Sequence, residues 1–193
     1  MYTYQLGDSL YINLTNSCTN NCVFCIRKKA EGIGVDLWLD REPSGEDVVH
    51  DIKDPARYKE IVFCGYGEPT MRLPQLLQIC KYLKEHNVKI RLNTNGHGNL
   101  IWGRNIVPEL AEYIDSVSIS LNAKDAEQYN KLCAPENELR SYDAVIDFAK
   151  ECKRCIPEVS MTVVDTLSAY DIELCRKIAQ NIGTGFRVRH TIK

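Results

Sequence analysis

Three cysteines in the stretch NSCTNNCVFCIRKK constrain this chain more than any other feature: Cys18, Cys22 and Cys25 fall within eight residues. Thiolates this close converge on one point only when the backbone wraps around it, and the usual object at that point is a soft metal centre. The spacing C-x3-C-x2-C supplies three ligands, whereas a closed structural zinc site or an ordinary cubane cluster takes four. A 4Fe-4S cluster held by three cysteines leaves one iron open to a small molecule. On the triplet alone two plainer readings stay open, buried thiols and a zinc site completed by a distant fourth ligand.

Strand-like and helix-like periods alternate through the chain. Ser9 to Thr15 (SLYINLT) alternates Leu10, Ile12 and Leu14 with polar residues, as a strand does, and the cysteine loop follows it. A short helix is expected from Phe24 to Ala30, with Gly32 and Gly34 breaking the segment beyond. Ser44 caps a helix to about Asp54, with Asp47 in the capping-box position. Further strands are expected over 60–64, 88–94, 115–122, 158–165 and 185–192, and helices over 73–86, 105–114, 125–132, 141–155 and 168–182. Strands separated by helices imply right-handed parallel crossovers. A closed eight-stranded barrel typically takes about 250 residues, and 193 hold fewer units. The expected fold class is therefore α/β, a partial (β/α)6 barrel of parallel strands with outer helices, in a single domain spanning 1–193.

Buried parallel strands usually read as continuous apolar runs, but these alternate. Val117, Ile119 and Leu121 interleave with Ser116, Ser118, Ser120 and Asn122. Val88, Ile90 and Leu92 interleave with Lys89, Arg91 and Asn93, and Phe186 and Val188 with Arg187, Arg189 and Thr191. The apolar phase belongs under the helices, which leaves a lumen of Ser, Asn and Arg suited to a polar ligand. The competing reading is an antiparallel sheet with one wet face. Arg91, Arg187 and Arg189 are candidates for a clamp on a carboxylate or phosphate of the substrate, although one of them can instead pair with Asp165.

Chemistry-bearing turns follow the strands, at the end where parallel α/β proteins place their sites. GYGEPT (Gly65 to Thr70) offers glycines that let backbone approach a ligand, and Glu68, which can accept from an ammonium group. NTNG (Asn93 to Gly96) and SLNA (Ser120 to Ala123) offer neutral donors and acceptors, which also suit ordinary strand-end turns.

Together the cysteine spacing, Phe24 just ahead of the third cysteine, and GYGEPT one unit later resemble the radical S-adenosyl-L-methionine (SAM) superfamily. The phrasing SLYINLT, LWLDREPS, FCGYGEPT, SLNA and FRVR is most similar to the small TatD-associated radical SAM proteins. The chain also resembles glycyl-radical-enzyme activases and small deazapurine-forming synthases. The resemblance covers essentially the whole chain and implies two cofactors, a 4Fe-4S cluster and SAM. It implies an enzyme in which Cys18, Cys22 and Cys25 hold the cluster and an electron cleaves SAM to a 5'-deoxyadenosyl radical that abstracts hydrogen. By the same resemblance Gly67 and Glu68 hold the methionyl amino group, with Tyr66 replacing the first glycine of the family's motif. Asn93, Thr94, Asn95, Ser120 and Asn122 match positions on the carboxylate and ribose, and Val163 and Asp165 flank adenosine. A rival of another class is a non-catalytic zinc-binding or redox-sensing protein.

Net charge is −2 with acidic and basic residues interspersed, so neither bulk nucleic-acid binding nor membrane binding is expected. No apolar run reaches membrane-spanning length and no basic leader precedes an apolar core, so the expected location is cytoplasmic. Expected partners are a flavodoxin- or ferredoxin-like electron donor, docking near Arg27, Lys28 and Lys29, and a small-molecule, nucleotide or protein-loop substrate. Cys80, Cys152 and Cys175 fall on apolar helical stripes and read as core, while Cys64 should point inward. Cys152 and Cys155 have metal-ligand spacing, but no second pair accompanies them.

Overall fold

A computed structural model of the chain, which describes residues 1–28 and 34–190, arranges its strands in one sheet in sequence order. β1 (Thr3–Leu6) and β2 (Ser9–Ile12) form an antiparallel hairpin. From β2 onward β3 (Glu60–Phe63), β4 (Ile90–Thr94), β5 (Ser116–Ser120), β6 (Glu158–Val164) and β7 (Gly185–Arg189) each pair in parallel with the strand before. Among the described residues the sheet stays open, with β1 and β7 as its edges. This is the partial parallel barrel that the alternation predicts, and the antiparallel alternative is confined to one hairpin.

The helices are α1 (Gly45–Ile52), α2 (Leu73–Glu85), α3 (Gly98–Trp102), α4 (Val107–Ala111), α5 (Ala126–Cys133), α6 (Ser141–Cys155) and α7 (Ala169–Ile182). Their starts follow local chemistry. Ser44 and Asp47 form the expected capping box, while Asp125 and Ser168 accept from Gln128 and Asp171 amides at the heads of α5 and α7. Two expectations need correction. The helix expected over 105–114 contracts to α4, which opens with Pro108 in its first turn, and α3 precedes it unforeseen. A single 3-10 turn at Ile26–Lys28 stands where a helix begins in the sequence reading. Lys29, Ala30, Gly32 and the last two residues of the final expected strand lie outside the described residues.

Strand alternation divides the molecule into an apolar layer and a lumen. Ile61, Phe63, Ile90, Leu92, Val117, Ile119 and Met161 are fully or almost fully buried beneath the helices. Each such side chain contributes about 1.5–3 kcal/mol of burial free energy. Cys80, Cys152 and Cys175 pack in the same layer, as small apolar residues do. Cys155 is exposed, so the C-x2-C pair does not share a face. On the opposite phase Ser116 and Ser118 point inward, and Arg91 pairs with Glu60 at 2.9 Å near the strands' N-terminal ends.

The turn after β3 packs tightly against the segment that leads into the cysteine loop. A Cβ on Gly67 would stand 2.4 Å from both the Thr15 and Ser17 carbonyl oxygens, and neither backbone can yield as a side chain would. Gly67→Ala should therefore cost about 1–3 kcal/mol through overpacking. Its urea-unfolding midpoint, compared with that of the unmodified chain, checks this; an unchanged midpoint would show that the two segments can separate freely.

Candidate active site

The cysteine loop lies across the C-terminal ends of the strands and is fixed from several sides. Arg27 donates to the carbonyls of Asn16 at 3.1 Å and Asn20 at 3.0 Å. It therefore braces the loop from within, which corrects its reading as a solvated docking cation; Lys28 donates to the Asn21 carbonyl, and Lys29 lies outside the described residues. Asn20 Nδ2 donates to the Tyr129 hydroxyl at 2.9 Å, and Tyr129 reaches His97 Nε2 at 3.1 Å. His97 Nδ1 meets Thr19 Oγ1 at 2.8 Å. His97 is thus fully buried, and burial pushes its pKa down to about 4.

Cys18, Cys22 and Cys25 line one cavity of about 330 Å³, together with Phe24, Asn95, Ser120, Asn122 and Arg189. That volume is at the lower end of small-molecule sites. Among the described residues no three His, Cys, Asp or Glu side chains stand assembled as a metal site. Each of two sulfurs has a protein partner instead. Cys18 Sγ accepts from the Asn20 amide at 3.4 Å and meets Asn95 Nδ2 at 3.8 Å, and Cys22 is hydrogen bonded to the thiol of Cys133. Burial, reinforced by Glu68, pushes the Cys18 thiol up to about 12, while the Cys133 contact lowers Cys22. Ligation would therefore release protons. Three soft donors in one cavity, whose largely apolar lining carries Asn95, Ser120, Asn122 and Arg189, fit a three-cysteine cluster carrying a small ligand.

Glu68 is the largest departure from expectation. Its carboxylate does not line the cavity. It is buried and accepts from Thr70 N at 3.0 Å, Thr70 Oγ1 at 2.7 Å, Thr94 Oγ1 at 2.7 Å and Asn95 N at 2.7 Å. Thr94 is thereby turned away from any ligand, and Asn95 alone of that turn reaches the cavity. Asn93 lies one step deeper, against Cys64, with its Oδ1 unpartnered.

Ser120 and Asn122 do face the cavity, and both hold Arg189. Its Nη2 donates to Asn122 Oδ1 at 3.2 Å and to Ser120 Oγ at 3.4 Å, and its Nε is buried without a partner. Burial lowers the Arg189 pKa. The other two arginines are not gathered here. Arg91 is tied to Glu60 and Tyr11, and Arg187 is exposed; both line a separate opening at the strands' other ends. Asp165 contacts His190 at 3.0 Å. Val163 lies in the apolar layer, because the period of β6 sends it outward with Met161, and it is Val164 that lines the cavity.

Several lining residues escape the sequence reading. Tyr4 and Tyr11 stack at 5.2 Å on the hairpin, and Tyr4 Oη donates to the Cys64 carbonyl at 3.1 Å. Leu37 is held over the cavity because Asn13 Nδ2 donates to its carbonyl at 2.6 Å, and Leu39 is tied to Asn16 in the same way. The Asn13 and Asn16 amides after an alternating strand were the available signal. Cys64 lines the cavity as expected.

Comparison with known proteins gives these positions a context. Residues 12–180 match the model of the Radical SAM superfamily. The chain is 28% identical over 171 residues to the S-adenosyl-L-methionine-dependent tRNA 4-demethylwyosine synthase of Methanocaldococcus jannaschii, covering 72% of this chain and 51% of that protein. It is 30% identical over 128 residues to a probable GTP 3',8-cyclase of the same organism, covering 64% of this chain and 39% of the cyclase. Its fold matches Streptococcus suis SuiB bound to S-adenosylmethionine with a TM-score of 0.71 and 18% identity, covering 96% of this chain and 41% of SuiB. SuiB bound to its precursor peptide SuiA matches with a TM-score of 0.69 and 19% identity, covering 96% of this chain and 39% of SuiB. The chain thus spans about half or less of these relatives' lengths.

Burial of His97 sets a pH dependence. Unfolded, it protonates near its ordinary value of about 6.5; folded, it stays neutral to about 4. Between these values the unfolded state binds more protons, so stability falls as pH falls. The expected loss is on the order of 3 kcal/mol across that window. Urea unfolding of the unmodified chain and of His97→Gln between about pH 7 and about pH 4.5 checks this. The variant should lose less, and parallel losses would clear His97 of the effect.

Proposed function

The chain belongs to the radical SAM superfamily and is an enzyme, and on that premise we propose that its strand-end cavity is the site of a SAM-derived radical reaction. Members of the family use a 4Fe-4S cluster and SAM. The observation that carries the reading is the single cavity whose wall combines Cys18, Cys22 and Cys25 with Asn95, Ser120, Asn122 and Arg189. We assign the three cysteines to the cluster. Bound there, the cluster would supply the electron for reductive cleavage of SAM, the chemistry that makes hydrogen abstraction from a substrate possible.

The chain's own residues orient and shield. Arg189, its fork steadied by Ser120 and Asn122, presents a buried cation able to hold one carboxylate in a dry setting, where a charge-assisted contact is strong. Asn95 and Ser120 supply neutral donors beside it. Phe24, Tyr4, Leu37 and Val164 form an apolar surround that keeps water from the reacting centre. Gly67 and Glu68 serve the cofactor through the backbone they fix, since the Glu68 carboxylate is buried away from the cavity and engaged by Thr70, Thr94 and Asn95.

The curated relatives are named for a transfer RNA synthase and a probable GTP cyclase, and SuiB has been solved with a precursor peptide. The proposed substrate is anionic, a small molecule, nucleotide or protein loop entering from the open side, with Arg189 as its clamp or as the clamp on the carboxylate of SAM. A flavodoxin- or ferredoxin-like protein is the proposed electron donor, residues 1–193 the proposed core domain, and the cytoplasm the proposed location. No helix among the described residues is long and apolar enough to cross a membrane.

Replacing Cys18, Cys22 or Cys25 by Ala should abolish iron and sulfide incorporation after anaerobic reconstitution, whereas Cys152→Ala and Cys155→Ala should retain it. A full cluster in Cys22→Ala would defeat the assignment.

Arg189→Gln should weaken binding of SAM or substrate about tenfold to a hundredfold, the worth of a contact of about 1.5–3 kcal/mol. Calorimetry with SAM and turnover to 5'-deoxyadenosine distinguish the two. Arg187→Gln serves as the surface control, and a shared effect in both variants would reopen the three-arginine clamp.

A further inference from the structure

Cys133 is fully buried at the end of α5, beside the cysteine loop, and the reading above leaves it without a task. The loop and this helix end run antiparallel. Asn20 bridges Pro135, the Asn21 amide donates to the Cys133 carbonyl at 2.9 Å, and the Val23 amide donates to the Leu132 carbonyl at 2.9 Å. Both carbonyls belong to the last turn of α5.

The amides on either side of Cys22 bond to the carbonyls of Cys133 and its neighbour Leu132, which brings the two cysteine backbones side by side. The side chains face each other as well, since the two thiols are hydrogen bonded. Asn122 Nδ2 meets Cys133 Sγ at 3.8 Å and holds its direction. Cys18, four residues before Cys22, has its sulfur taken up by the Asn20 amide and Asn95 instead.

We propose that Cys22 and Cys133 form a dithiol site that closes to a disulfide in the cluster-free protein, withdrawing the middle cysteine of the triplet. The withdrawal rests on the reading of Cys22 as a cluster ligand; the bond itself does not. A low-molecular-weight disulfide such as oxidised glutathione is the oxidant. The half-buried Cys22 thiolate attacks one of its sulfurs and expels one glutathione thiolate. Cys133 passes its proton to the released glutathione thiolate, attacks the Cys22 sulfur of the mixed disulfide and expels the second glutathione as thiolate. Two cysteine thiols are oxidised and one glutathione disulfide is reduced to two thiols.

The test incubates the cluster-free full chain anaerobically with oxidised glutathione, then denatures, alkylates and digests it. The expected product is a peptide pair linked through Cys22 and Cys133, with Cys133→Ser and Cys133→Ala instead leaving glutathione on Cys22. A Cys22 bond to Cys18 or Cys25, or a persistent glutathione adduct on Cys22 in the unmodified chain, overturns the proposal. Circular dichroism of the variants shows whether they fold, and the linked peptide from the unmodified chain stands as evidence whichever way they behave. In a second arm the oxidised chain should incorporate several-fold less iron and sulfide than the reduced chain and recover with dithiothreitol. Equal incorporation overturns the withdrawal. A reduced chain that incorporates none, yet still yields the linked peptide, supports the bond and strikes the cluster reading instead.

Discussion

A single buried carboxylate holds the working face of this protein together. An ionised side chain taken out of water costs several kcal/mol unless the fold supplies partners, and Glu68 meets four donors from Thr70, Thr94 and Asn95. Burial pulls its pKa up while those donors pull it down, with burial the larger cause. The bonds join the turn after β3 to the end of β4. From Asn95 the connection continues to Thr19 and the sulfur of Cys18. Gly67, wedged against the carbonyls of Thr15 and Ser17, closes the same junction from the other side. The position of the first cysteine is therefore set by a residue that never touches the cavity.

The polar lumen is divided into two environments. At the C-terminal ends of the strands Arg189 is buried, and its Nε has no protein partner. At the other ends Arg91 is matched by Glu60, and Lys89 by Glu158 at 3.0 Å. Exposed ion pairs such as the second contribute little to stability, and Arg187 and Lys153 line the same mouth, so it too is positively charged. The two ends differ in burial: beside the thiols the cation is held out of water, where an anionic ligand gains most from it.

Much of this was legible in the residues. The C-x3-C-x2-C spacing located the cavity wall, and the Ser-rich alternation of β5 established which face looks inward, because a period of two admits only two answers. Where the backbone leaves that period, the sequence loses its grip. Glu68 sits in a turn, and nothing in GYGEPT says whether its carboxylate faces the ligand or the fold. Val163 and Val164 are adjacent and alike, so only the phase of β6 separates core from lining. Arg91, Arg187 and Arg189 share the inward phase, but the length of the strands places them at opposite ends. The hairpin strand β1 is four residues long with Gly7 at its turn, too short for alternation to announce it.

An unclosed sheet also has a mechanical character that a complete barrel lacks. Ring closure ties strand number, tilt and stagger together, so the radius of a closed barrel is fixed by its topology. Here β7 ends the sheet with one partner, β6, and its curvature answers only to twist and to the helices packed outside. Arg189 rides on that last strand. Changes in twist accumulate from β2 across such a sheet and are largest at its last strand. What holds the cation in place against the thiols is therefore its grip on Ser120 and Asn122, two strands inward.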